Sequence, residues 1–61
     1  MVIKEYNAPN RTIAQKILAI IQRHHGFNIR ITPNKSSFTI GCVFPSRAMA
    51  ALASAYIAQI C

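Results

Sequence analysis

Between Phe27 and Phe44 apolar and polar residues alternate on both sides of a short break, Pro33-Asn34-Lys35-Ser36. A period of two is the pattern of a strand with one buried and one wet face. A linker carrying Pro and Asn reads as a turn. Pairing Thr32 with Ser37 sets Ile31 against Phe38, Ile29 against Ile40 and Phe27 against Cys42. All six then share one face, so pattern and turn agree on a register. The opposite face receives Asn28, Arg30, Thr32, Ser37, Thr39, Gly41 and Val43. A two-stranded unit needs a lid over its apolar side, and the flanking segments are the candidates.

Both flanks carry helical patterns. Ile13, Ile17, Ile20 and Ile21 recur at helical spacing, widened by Ala14 and Leu18. Asn10 or Thr12 can cap the start. His24 and His25 fall in the last turn, and Gly26 is expected to supply the left-handed residue after it, with Phe27 as the apolar residue beyond. Pro45 and Ser46 open a second helix to the chain end, with Met49, Leu52, Ala53, Tyr56, Ile57 and Ile60 as its inward stripe. Met1 to Tyr6 is rich in strand formers and reads as an edge strand. Its pattern does not decide whether Val2, Lys4 and Tyr6 or Ile3 and Glu5 face inward. Asn7 to Asn10 reads as a turn.

The order is β-α-β-β-α, an α+β fold in one small domain spanning residues 1–61. A right-handed crossover between the first two strands leaves two sheet orders. The expected one places the third strand between the first and second, so that all neighbours are antiparallel and both helices cover one face. This architecture resembles a ferredoxin-like unit without its last strand, which speaks to fold and not to function.

Charge and residue types narrow the function classes. Seven Lys or Arg stand against one acid, Glu5, for a formal charge of +6. Carboxylate acid–base chemistry needs a pair, so it is nearly excluded. His24, His25 and Cys42 are the one set that could hold a metal or a nucleophile. Adjacent histidines on a helix point about 100° apart, and neither zinc spacing nor a cysteine-enzyme signature is present. A non-enzyme without metal or cofactor is expected. Cys42 and Cys61 do not make a disulfide framework, and free thiols in a reducing compartment are expected. Residues 1–8, interrupted by Lys4, Glu5 and Asn7, do not form a secretion signal, so the expected location is cytoplasmic. The run from Ala48 to Ile60 is too short to span a bilayer, which needs about 20 residues.

Two kinds of macromolecular partner fit a small basic module. The side of the second helix opposite its stripe carries Arg47, Ala51, Ser54, Ala55 and Ala58, small residues that allow close approach of another chain. They are the expected contact of a homodimer. The expected function is regulatory docking on a protein target, in the manner of an inhibitor or anti-repressor. The alternative is a nucleic-acid binder that contacts phosphates through Lys16, Arg23, Asn28, Arg30 and Lys35. Against it, the polar sheet face carries no aromatic for base stacking, since Phe27 is placed inward. A membrane-active amphipathic helix is a third class. The apolar partner surface that the rest of the fold offers to helix two argues against it.

Overall fold

The computed structural model describes residues 1–60. Its elements run β1 (Val2–Ala8), α1 (Arg11–Arg23), β2 (Phe27–Asn34), β3 (Ser37–Phe44) and α2 (Arg47–Ile60). The sheet is antiparallel in the order β1-β3-β2. This is the expected α+β layout, with the third strand central. Val2, Lys4, Tyr6 and Ala8 stand across from Phe44, Cys42, Ile40 and Phe38. The even-numbered residues of β1 therefore turn toward the helices, which settles the facing that the sequence left open. β1 also runs two residues further than expected, taking in Asn7 and Ala8.

The core lies between β1, β3 and the two helices. Ile17 and Ile21 of α1, Ile40 and Phe44 of β3, and Ala53 of α2 are fully buried. Both helices pack over β1 and β3. β2 forms the far edge of the sheet, and the helices pack chiefly over the other two strands. Ile31 has the expected inward parity, yet it remains 47% exposed for this reason. Ile40 and Cys42 are buried as expected, while Ile29 and Phe38 are half-buried at the core margin.

The hairpin differs from its expected register by two residues. Asn34 pairs with Ser37 and Thr32 with Thr39, around a two-residue turn of Lys35 and Ser36. Pro33 is thus inside the strand. With Asn34 and Ser37 closing the turn, ladder alternation points position 33 away from β3, where a missing N–H costs no sheet bond. Lys35 takes φ 49 to close the loop, and the Ser37 hydroxyl donates to the Asn34 carbonyl at 3.1 Å.

Helix ends follow their capping chemistry with one correction. The Asn10 side chain accepts from the Ile13 N–H at 2.9 Å, so Asn10 rather than Thr12 is the cap. At the other end the Gly26 N–H donates to the Ile21 carbonyl (2.8 Å) and the His25 N–H to the Gln22 carbonyl (3.2 Å). This is the Schellman pattern, and its left-handed residue is His25 (φ 63), not Gly26. Gly26 is needed for a different reason. A Cβ there would stand 2.2 Å from Ile21 Cγ2 and 2.9 Å from the Ile21 carbonyl oxygen.

The second helix starts as expected, with Ser46 accepting from the Met49 N–H at 3.3 Å. Its inward face is rotated from the expected stripe. Ala50, Ala53 and Ile57 are buried, with Met49, Ser54 and Ile60 at the margin. Leu52 and Tyr56, expected inside, are 48% and 53% exposed. The contact with β1 explains the rotation, because Ser54 and Tyr6 share a hydrogen bond of 2.8 Å between their hydroxyls.

Candidate functional site

With both helices on one side, the other side of the sheet is bare. Its composition turns on one irregularity in β2. Phe27 stands across from Val43 and Arg30 across from Gly41, so Asn28 and Ile29 together oppose the single residue Cys42. That is a β-bulge, and Asn28 supplies its left-handed residue with φ 55. Asn tolerates this conformation better than most side chains. The extra residue reverses the facing of everything before it. Phe27 therefore points to the bare face, 42% exposed, instead of into the core against Cys42.

Three rows on that face cross all three strands. Ile3, Val43 and Phe27 form an apolar row across all three strands. Next to it lie Glu5, Gly41 and Arg30, then Asn7, Thr39 and Thr32. The Thr39 hydroxyl donates to Asn7 Oδ1 at 3.1 Å and fixes the polar end. Gly41 has no side chain, and a Cβ added there would meet only Glu5 Cγ at 3.9 Å. The result is a shallow hollow of about 310 Å³, floored by Gly41 and Val43 and walled by Ile3, Glu5, Asn28 and Arg30. The chain's one acid and one of its cations thus stand on opposite sides of the same depression.

The five cations and amides expected to contact phosphates do not form one surface. Asn28 and Arg30 belong to the bare face, and Lys35 sits in the hairpin turn. Lys16 and Arg23 are exposed on α1, in the helical layer on the other side of the sheet. Of the residues expected at the dimer contact, Arg47, Ala51, Ala55 and Ala58 are exposed along α2. Ser54 differs from these in being half-buried and bonded to Tyr6.

The remaining reactive groups are held by the fold. His24 Nδ1–H donates to the Ile20 carbonyl at 2.8 Å, and its ring lies 5.5 Å from that of Tyr56. Burial pushes the Cys42 thiol above its ordinary value, which makes it a poorer nucleophile. Burial also raises the Tyr6 phenol, against the opposing pull of the Ser54 bond. Among the described residues no three His, Cys, Asp or Glu side chains gather around a common point. No helix among them is long and apolar enough to cross a membrane. Cys61 lies outside the described residues.

Sequence reasoning missed Ile3, Phe27 and Val43 as a surface set. The available signal was Asn28, a residue prone to left-handed backbone one position into an otherwise regular strand. Comparison of the chain with protein-family models, with curated proteins and with solved structures returns no match.

Proposed function

We propose that the chain is a non-enzymatic binding module that docks on a protein target through the bare face of its sheet and so modulates that target's activity. The observation that carries this is the row Ile3, Val43 and Phe27 bordered by Glu5 and Arg30. An apolar row with polar groups of both signs beside it has the mixed composition of a protein interface. A surface that tracks phosphates would not set its chain's one carboxylate at the middle. Ile3 is 78% exposed, and a side chain of that kind gains most from being covered.

One observation favours a nucleic-acid partner as the second reading. Phe27 offers on this face the aromatic ring that single-strand readers stack bases upon, and Arg30 lies on the same strand. Titration with single-stranded and duplex oligonucleotides at low and moderate salt separates the two. Weak, sequence-independent binding is expected. Submicromolar affinity with a steep salt slope overturns the protein reading. Capture from the native cell should then resist nuclease and be lost in Ile3→Ser and Phe27→Ser, which alter exposed positions.

A further inference from the structure

The outward side of α2 is a second exposed face with little charge. Ala48, Ala51, Leu52, Ala55, Tyr56, Ala58 and Gln59 are all exposed, and after Arg47 the helix carries no charge. Four of these, Ala48, Leu52, Ala55 and Gln59, follow the spacing i, i+4, i+7, i+11. That is the seam of a two-helix coiled contact. The seam is also symmetric about the helix midpoint between Ala53 and Ser54. Ala48 and Gln59 lie equally far from it, as do Leu52 and Ala55.

We infer that α2 pairs with α2 of a second copy of this chain, antiparallel and about a two-fold axis at that midpoint. A two-fold contact must be self-complementary, each patch meeting the same patch reversed. Reversal brings Leu52 level with the other copy's Ala55, and Ala48 level with its Gln59. Each layer thus sets a larger side chain beside a methyl group. Ala51 flanks the seam on one side and permits close approach, while Tyr56 covers the other.

Charge selects the same occupant. The chain carries +6, so two copies repel each other wherever their cations face. From Ala48 to Ile60 there is nothing to repel. The antiparallel order also carries Arg47 of one copy to the C-terminal end of the other's helix. That end holds partial negative charge and has no basic residue of its own in the last turn. The seam positions themselves carry no cation for an acidic peptide, with Lys4 and Arg47 standing beside Ala51 and Arg23 beside Tyr56 at its two flanks. A 14-residue helix gives a contact in the small size class, so dissociation is expected in the micromolar range. This inference does not depend on what the bare sheet face binds.

Sedimentation equilibrium up to about 200 µM, in a Cys61→Ser background, is expected to give twice the 6.8 kDa chain mass. Ala55→Glu places a carboxylate against Leu52 and should weaken association about 100-fold, with helicity retained by circular dichroism. If that variant loses helicity, Leu52→Ala is the substitute, with about tenfold weakening expected. Orientation is read by disulfide trapping. Ala48→Cys mixed with Gln59→Cys should cross-link, and neither should cross-link to itself, since like positions lie ~16 Å apart along the axis. A monomer at the highest concentration overturns the inference. So does self-cross-linking of Ala48→Cys, which indicates a parallel pair. A monomer that co-sediments with phosphatidylglycerol vesicles, and ceases to in Ala55→Glu, assigns the face to lipid and overturns it equally.

Discussion

The two helices lie on the same sheet and cover the same two strands, yet they are built on opposite plans. α1 is anchored by the large side chains Ile17 and Ile21, and Thr12, Gln15, Lys16, Gln22 and Arg23 are exposed. α2 buries the small residues Ala50 and Ala53 beside Ile57, and turns Leu52 and Tyr56 outward. One helix spends its apolar bulk on the core and is complete in water. The other holds bulk in reserve on its free side. A chain of 61 residues has little apolar volume to distribute, and it keeps part of it outside the core.

The sharpest break of that contrast is Ile21→Ala. It empties a fully buried site that touches the end of α1, and a loss of about 3 kcal/mol is expected in denaturant unfolding. Gly26→Ala comes next. The added methyl collides with Ile21 and with the backbone, so a loss of about 2 kcal/mol should appear as a lowered midpoint with unchanged slope. α2 depends more on its polar tie to β1. Tyr6→Phe removes the bond to Ser54 and should cost about 1 kcal/mol.

Burial of the Tyr6 phenol and of the Cys42 thiol also sets a pH dependence. Tyr6 and Cys42 hold their protons to higher pH in the fold than in the unfolded chain. Stability present at neutral pH is therefore lost as pH rises beyond the ordinary thiol and phenol values of 9.0 and 10.0. Tyr6→Phe should flatten the upper part of this decline in thermal melts. The smallest expected effect is a gain. His25→Gly relieves a left-handed histidine at the end of α1 and should stabilise by about 0.5 kcal/mol.

Element order, sheet order and the buried pair Ile40 and Cys42 were legible from period and connectivity alone. Facing was less legible, for physical reasons that differ by site. Pro33 argues against a strand interior, and only its edge position permits it. The bulge at Asn28 adds a residue without disturbing the alternation on either side, so the pattern reads through it unbroken. The rotation of α2 reflects how evenly apolar that helix is. Its larger side chains mark one stripe, whereas the buried side is the one on which Ser54 meets Tyr6. The left-handed residue after α1 falls one position before the glycine that capping preference points to, because Gly26 serves a steric need instead.

Pro33 has a consequence beyond the hairpin. β2 is a long outer strand with little overhead cover, the kind of margin along which identical molecules stack into fibrils. A ring in place of one amide hydrogen, followed upstream by the kink at Asn28, leaves an incoming strand no continuous row of donors to zip against. The protein can thus present a greasy, uncovered flank at high concentration while discouraging runaway self-assembly, so long as residue 33 stays an imino acid.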